Sequence, residues 1–120
     1  LSTLEVFAPM LASLRFKTEN MARAASSGYI LATDLADYLA KQGVPFREAH
    51  QAVGRLVAYA TEAGKDLAGL SLEEYHKFSP HFDQGVYSIT VASSLAARDV
   101  PGGTAPARVK EALAQARSLV

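Results

Sequence analysis

Two helices joined by a tight turn are predicted by residues 32–50, which read ATDLADYLAKQGVPFREAH. The hydroxyl of Thr33 suits the cap of the first helix, and two aspartates follow near its positive end. Gly43 suits the left-handed residue that ends this helix. Pro45 suits the first position of the second helix, because the amide hydrogen that proline lacks would be unpaired there in any case. This stretch therefore predicts a pair of helices around a short turn.

The second helix is predicted to be long, from Pro45 to Ala63, with Gly64 as its stop signal. Apolar residues recur in it at three- and four-residue spacing, which places them on one face. This stripe consists of Phe46, Ala49, Val53, Leu56, Val57 and Ala60. A stripe of this kind is typical of a helix that packs one side against a core.

The N-terminal helix, which is predicted to extend to about Phe16, is apolar on more than one side. One face carries Leu4, Phe7, Leu11 and Leu14, and the opposite side carries Val6, Met10 and Phe16. Such a helix needs partners on more than one side. Pro9 lies within it and removes one backbone donor, which predicts either a kink or a restart near Ala8.

Further helices are predicted along the rest of the chain. A short helix covers residues 19–26 and is broken by Gly28. Ser71 and Glu74 fit a capping box, in which each side chain satisfies the backbone donor of the other residue. Residues 82–97 form a further predicted helix, which a glycine and three consecutive β-branched residues weaken.

The last helix is predicted to begin at Thr104, which suits its cap. Its apolar stripe consists of Val109, Ala112, Leu113, Ala116 and Val120. Nothing in the sequence alternates with the period of a β-strand over a useful length. The predicted fold class is therefore all-α.

Composition restricts the classes of function that the chain can have. The 120 residues suit one domain, and 12 basic residues balance 12 acidic ones without forming charged blocks. Nucleic acid is therefore not an expected partner. The absence of cysteine excludes disulfides, thiolate zinc sites and thiol nucleophiles.

Neither a secretory signal nor a membrane span is predicted, since no apolar run approaches the ~20 residues that cross a bilayer. We therefore expect no membrane partner and a cytoplasmic location. The chain begins at Leu1, without a methionine, inside an amphipathic pattern. This start predicts that the chain is part of a longer polypeptide.

Three histidines suggest a metal or general-base site, because imidazole is a common ligand and titrates near neutral pH. Their spacing does not support such a site. His50 has no second histidine one helical turn away, and His76 and His81 are separated by Pro80. We interpret all three as structural or solvated residues and predict no metal.

Asp34 and Asp37 share a helix face and could form an acid–base pair. A simpler interpretation is that negative charge near a helix N-terminus stabilises the helix by ~0.3–1 kcal/mol. Gly102 and Gly103 precede a helix and could bind an anion with backbone donors. Without a lysine in the phosphate-loop position or a preceding strand, they predict a tight connection that ends in the cap Thr104.

Serine nucleophiles are not supported either, because the pairs at 26–27 and 93–94 have no strand–turn–helix context. The helix pair around Gly43 also has the pattern of a helix-turn-helix DNA reader. Its second helix, however, carries Arg47 and Arg55 against Glu48 and Glu62, so it has no net basic face. No catalytic, cofactor-binding or metal-binding residue is predicted.

Four stretches, in their order and spacing, resemble the C-terminal region of the argininosuccinate lyase family. They are residues 32–39 (ATDLADYL), 43–50 (GVPFREAH), 64–67 (GKDL) and 102–106 (GGTAP). The resemblance covers nearly the whole chain. It implies that residues 1–17 are the end of a long helix from the family's central bundle and that residues 18–120 are its small C-terminal helical domain.

The resemblance implies a parent enzyme of arginine biosynthesis that cleaves argininosuccinate to arginine and fumarate by β-elimination, without metal or organic cofactor. A base removes a proton beside a carboxylate, and the resulting aci-carboxylate is stabilised electrostatically. In the family, a histidine-bearing segment and a flexible serine-containing loop perform these tasks, and neither occurs in this sequence. No catalytic residue is therefore carried over, and the chain alone is expected to be inactive.

The family's active sites are shared between subunits of a homotetramer, which implies that the expected partners are other copies of the full-length chain. The C-terminal domain would then shape or close the cleft. The alternative is a stand-alone helical interaction module that has kept the domain without its chemistry. A third possibility is a non-enzymatic relative, as in the family's lens crystallins. An upstream coding region with the serine loop favours the first hypothesis, and an initiator just before Leu1 favours the second.

Overall fold

The computed structural model describes residues 2–119, which are helical apart from turns and loops. In order they form α1 (Ser2–Ala12), α2 (Thr18–Ser26), α3 (Ala32–Lys41), α4 (Phe46–Glu62), a 3₁₀ helix (Leu67–Gly69), α5 (Leu72–His76), a second 3₁₀ helix (Gln84–Ser88), α6 (Val91–Ala96) and α7 (Pro106–Ser118). This range contains no strand, so the predicted all-α class is confirmed. Leu1 and Val120, which the predicted terminal helices include, lie outside the described residues.

Helices α3 and α4 pack against each other and form the centre of the core. The buried cluster consists of Leu35, Ala36, Leu39, Ala49, Ala52, Val53, Leu56, Ala60, Leu67, Leu70, Tyr75, Phe82 and Val86. Burial of a single large apolar side chain contributes ~1.5–3 kcal/mol, so this cluster is the main source of stability. The predicted stripe of α4 is confirmed apart from Phe46, which lies at the first position of the helix and is 57% exposed.

The turn between α3 and α4 has the predicted geometry. Gly43 adopts a φ of +91°, in the left-handed region that favours glycine. The Val44 amide donates to the carbonyl of Leu39 (3.1 Å) and the Gly43 amide to that of Ala40 (3.0 Å), which pairs the last carbonyls of α3. The two helices therefore meet as a compact hairpin.

The predicted starts of both helices of this hairpin are displaced, that of α3 by two residues towards the N-terminus and that of α4 by one residue towards the C-terminus. Thr33 is not the cap of α3, because the helix begins at Ala32 and the carbonyl of Leu31 already accepts the first helical bond, from the Leu35 amide. Pro45 occupies the cap position of α4, not the first helical position. Its carbonyl oxygen accepts the first bond of the helix, so proline still suits this place.

Residues 82–97 do not form the single helix that the sequence predicts. The second 3₁₀ helix and α6 are separated at Thr90, whose backbone is extended. The Thr90 hydroxyl accepts from the Ser93 amide, and the Ser93 hydroxyl accepts from the Thr90 amide. This capping arrangement, together with the extended preference of β-branched residues, starts a new helix here.

The last helix also begins later than predicted. Thr104 is not its cap, because Ala105 takes that position and Pro106 is the first helical residue. The missing amide hydrogen of proline costs nothing there. The described residues of the predicted stripe lie at the surface, where Val109 and Leu113 are 44% and 52% exposed.

Helix α1 runs through Pro9 without a restart, so the predicted restart near Ala8 is wrong. The kink stays a prediction. The helix ends at Ala12, before the predicted Phe16. At this end the Ser13 hydroxyl donates to the Met10 carbonyl, and the Leu14 amide donates to the Leu11 carbonyl three residues back. Helices α1, α2 and α7 contribute no buried residue to the described part of the molecule, which measures 56 × 31 × 23 Å.

Within residues 2–119, none of the helices has the length and apolar character needed to cross a membrane.

Candidate functional site

A polar cleft of about 440 Å³ lies between α3 and the segment that ends with α6. It is lined by Asp34, Asp37, Tyr38, Lys41, Ser88, Ile89, Ser93, Ser94, Ala97 and Arg98. Three- and four-residue spacing places the α3 side chains on one wall, and α6 with the turn after it supplies the other. The structure therefore brings Asp34 and Asp37, the candidate acid–base pair, to the edge of a cleft.

The charges of this cleft are partly paired. Arg98 Nη1 lies 3.5 Å from Asp34 Oδ1, and it donates to the carbonyl and the hydroxyl of Ser94 at 2.7 and 2.8 Å. Asp37 has no hydrogen bond or ion pair with any described residue. Asp34 lies in the first turn of α3, as the helix-start interpretation expects, whereas Asp37 lies beyond that turn.

Tyr38 is held at the floor of the cleft by Asp83. Its hydroxyl donates to Asp83 Oδ1 at 2.5 Å, and the Gly85 amide donates to the same oxygen at 2.6 Å. Both bonds favour the ionised carboxylate and hold the pKa of Asp83 below its usual value, while burial and the neighbouring carboxylate raise the pKa of Tyr38. Tyr38 is thus a fixed, protonated phenol at neutral pH and not a general base.

The three histidines have the structural or solvated positions that we predicted. His50 and His81 are exposed, and His50 lies on α4 near the ring of Phe46. His76 Nε2 lies 2.6 Å from the carbonyl oxygen of Phe82. This histidine therefore has a structural role, because it links α5 to the following loop. The described residues contain no group of three or more His, Asp or Glu side chains that could hold a metal ion.

The glycine pair at 102–103 forms a tight connection. Gly102 has a φ of +77°, and the Gly103 amide donates to the Val100 carbonyl at 2.8 Å. A Cβ at Gly103 would collide with the backbone oxygens of Arg98 and Val100, so only glycine fits. This close backbone approach explains the glycine without any bound anion.

The candidate serine pairs also have structural explanations. The hydroxyls of Ser26 and Ser27 donate to carbonyls of their own helix, at Ala22 and Ala24. Ser93 belongs to the capping arrangement of α6, and Ser94 accepts from Arg98. None of these serines is joined to a histidine in the described part of the chain.

A second polar cluster, which sequence reasoning found only in part, joins α4 to α5. The capping box of Ser71 and Glu74 is present as predicted. Glu74 Oε1 also accepts from Lys65 Nζ and from the Tyr59 hydroxyl, each at 2.8 Å. These hydrogen bonds lower the pKa of Glu74 to about 2. Lys65 makes the largest contribution, followed by the Ser71 amide and the Tyr59 hydroxyl. No spacing rule in the sequence joins Tyr59 or Lys65 to this box, because they come from another helix and a loop.

Comparison with known proteins places the cleft and the core in one family. A family model described as "Argininosuccinate lyase C-terminal" matches residues 29–101. The chain belongs to this family. The matched range contains α3 to α6, every residue of the buried cluster and every residue that lines the cleft. Helices α1, α2 and α7 lie outside it.

Individual argininosuccinate lyases match beyond the limits of the family model. The chain is 47% identical to the protein of that name from Dehalococcoides mccartyi over 118 residues, which are 98% of the chain and 26% of the relative. It is 49% identical to that from Thioalkalivibrio sulfidiphilus over 97% of the chain, and 52% identical to that from Desulforudis audaxviator over 95%. In both cases it covers 25% of the relative, so the chain spans about a quarter of the length of these curated relatives.

Proposed function

We propose that this chain is the C-terminal portion of an argininosuccinate lyase, which cleaves argininosuccinate to arginine and fumarate by β-elimination in arginine biosynthesis. The observation that carries the proposal is the identity of 47–52% to proteins of that name over 95–98% of the chain. The assignment of residues 29–101 to the family supports it.

Within this proposal, the chain acts as a scaffold and contributes no catalytic residue. The serine loop and the histidine-bearing segment of the family do not occur in its sequence. The cleft supports this role, because Tyr38 and Arg98 are each bound to a neighbour and no histidine lines its walls. The domain would contribute to rate by excluding water from the active site and by positioning the groups that act there.

Residues 1–17 are proposed to end a long helix of a central bundle, and residues 18–120 to form the C-terminal domain. Helix α1 supports this division, since Leu4, Val6 and Phe7 are 69%, 69% and 44% exposed. Exposed apolar faces of this kind are typical of a surface that packs against a partner, such as the other helices of a bundle. The partners are then further copies of the full-length subunit in a cytoplasmic homotetramer.

Steady-state assays of the native gene product that carries these 120 residues test the proposal. Incubation with argininosuccinate is expected to release fumarate, measured by ultraviolet absorbance, and arginine, measured by chromatography, in equal amounts. Adenylosuccinate, which would release fumarate by the same chemistry, serves as the specificity control. Turnover of the control without turnover of argininosuccinate would overturn the assignment.

The length of the open reading frame separates this proposal from a stand-alone interaction module. A coding region upstream of Leu1 that contains the serine loop is the expected result. An initiator codon directly before Leu1 would instead leave only the helical module. If the loop is present but turnover is absent, the protein is a non-enzymatic relative.

A further inference from the structure

We propose that residues 90–119 form a C-terminal arm that moves as one body away from α3 and is held closed by the ion pair between Asp34 and Arg98. The arm contains α6, α7 and the glycine turn between them. This inference concerns the motion of the cleft wall and is independent of the reaction proposed for the parent protein.

Attachment of the arm to the rest of the molecule is weak. All residues of the buried cluster lie between positions 35 and 86, and Ile89 is the last partly buried residue that packs against it. Ala105, which is buried, lies outside that cluster. Among the described residues, the polar side-chain contact between the arm and the remainder is the Asp34–Arg98 pair, at 3.5 Å.

This ion pair has the properties of a contact that opens easily. Its distance exceeds the ~2.7–2.9 Å of a strong charge-assisted hydrogen bond. The Arg98 side chain is 45% exposed and that of Asp34 16% exposed, so solvent and salt screen their attraction. Arg98 also keeps its bonds to Ser94 when the pair is broken, because both residues belong to the arm.

Inside the arm, by contrast, the contacts are short and specific. Arg108 Nε donates to Asp99 Oδ1 at 2.7 Å, which joins the start of α7 to the turn after α6. The Gly103 amide bonds to the Val100 carbonyl, and the turn leaves no room for a Cβ at Gly103. The Arg108 and Asp99 side chains are 33% and 58% exposed, so the close backbone approach at Gly103 is the contact that joins α6 to α7 within the arm.

The geometry at the start of the arm provides a hinge. Ile89 and Thr90 are both extended, between the second 3₁₀ helix and α6. The Thr90–Ser93 capping arrangement belongs to the arm and moves with it. Because Ile89 packs against the buried cluster, the rotation lies at the junction of Ile89 and Thr90, and it widens the cleft of about 440 Å³ without breaking either helix.

Distance measurement between two spin labels tests this motion directly. The sequence has no cysteine, so the 120-residue chain accepts one label at Gln51→Cys on α4 and one at Lys110→Cys on α7 without further changes. Dilution with unlabelled chain removes distances between molecules. Pulsed dipolar spectroscopy then gives the populations of closed and open arms.

Asp34→Asn is expected to raise the ratio of open to closed arms about two- to five-fold, the range of an exposed ion pair. Arg98→Gln is expected to have the same effect, and the double variant no further effect, because both changes remove one interaction. The matched control is Asp37→Asn, which neutralises a cleft carboxylate one helical turn away that has no partner among the described residues.

Three results would overturn the proposal. Distances that do not change in Asp34→Asn or Arg98→Gln would show that the pair does not hold the arm. An equal change in Asp37→Asn would show a general charge effect on α3. Additive effects in the double variant would show that the two residues act separately. Circular dichroism of every variant keeps these outcomes apart from loss of folding.

Discussion

Helices α4 and α1 are both rich in apolar residues, but only one of them is buried. Helix α4 places Ala49, Ala52, Val53, Leu56 and Ala60 in the core, whereas α1 buries none of its residues. The stripe of α4 faces α3 from the same hairpin, and polar residues cover its other side. Apolar content alone therefore does not determine burial, because a helix also needs a partner within reach.

The largest predicted effect contrasts these two helices directly. Leu56→Ala in α4 is expected to destabilise the chain by ~2–5 kcal/mol, because it leaves a cavity at a residue with 0% exposure. Leu11→Ala in α1, at 51% exposure, is expected to change stability by less than ~0.5 kcal/mol. Urea unfolding of the 120-residue chain, followed by circular dichroism, measures both.

Equal losses in the two variants would contradict the contrast, since they would place α1 inside the cooperative unit. The same two substitutions in the native gene product give a sharper test of this contrast. There, Leu11→Ala is expected to become destabilising if α1 packs in a helical bundle.

Alanine substitutions at two glycines of the hairpin should change the stability of the chain in opposite directions. Gly43→Ala is expected to cost ~1–2 kcal/mol, because alanine is strained at a φ of +91°. Gly54 lies inside α4, and a Cβ added there would meet open space. Gly54→Ala is therefore expected to stabilise the chain by ~0.5–1 kcal/mol. Thermal unfolding midpoints give both signs, and a stabilising Gly43→Ala would refute the left-handed turn.

Alanine substitutions of three threonines should separate the cap that the structure shows from the two caps that the sequence predicted. Thr90→Ala is expected to cost α6 about 1 kcal/mol, since it removes the bond to the Ser93 amide. Thr33→Ala and Thr104→Ala, which cap no helix, are expected to change stability by less than ~0.5 kcal/mol. Amide exchange in α3, α6 and α7 measures these effects, and an equal loss at Thr33 would restore it as a cap.

Acid should weaken the contact between α4 and α5 through Glu74. Its pKa falls from 4.5 to about 2 in the folded chain, so its contribution is complete above about pH 4.5 and is lost as the pH falls toward 2. This is the smallest of the effects, because the Lys65 partner is 46% exposed and solvent screens the pair.

Glu74→Gln measures this contribution when urea midpoints are compared across that pH range. The difference between wild type and variant is expected to shrink as the pH falls. Glu73→Gln, at the neighbouring exposed position in the first turn of α5, is the control. A difference that is independent of pH would contradict the role given to the carboxylate.

Features that depend on residues close in sequence were predictable. The left-handed Gly43, the capping box at Ser71 and the stripe of α4 each follow from local spacing, and the structure confirms them. The starts of helices were less predictable, because Thr33 and Thr104 have suitable side chains but the observed caps are Leu31 and Ala105. A cap is selected by the whole turn, not by one hydroxyl.

Contacts between distant segments could not be predicted from spacing. The bonds from Tyr38 to Asp83 and from Tyr59 to Glu74 join residues 45 and 15 positions apart. The cleft likewise depends on how α6 sits beside α3, which no local pattern determines. The ordered resemblance of four stretches identified the family, and the match over residues 29–101 confirms it.

We propose that these helices support a reaction whose catalytic groups belong to other segments of the parent protein. Fumarate release by the purified 120-residue chain, incubated with argininosuccinate beside the native gene product, tests it most directly. We predict turnover by the native product and none above background by the chain alone. Turnover by the isolated chain would contradict this account.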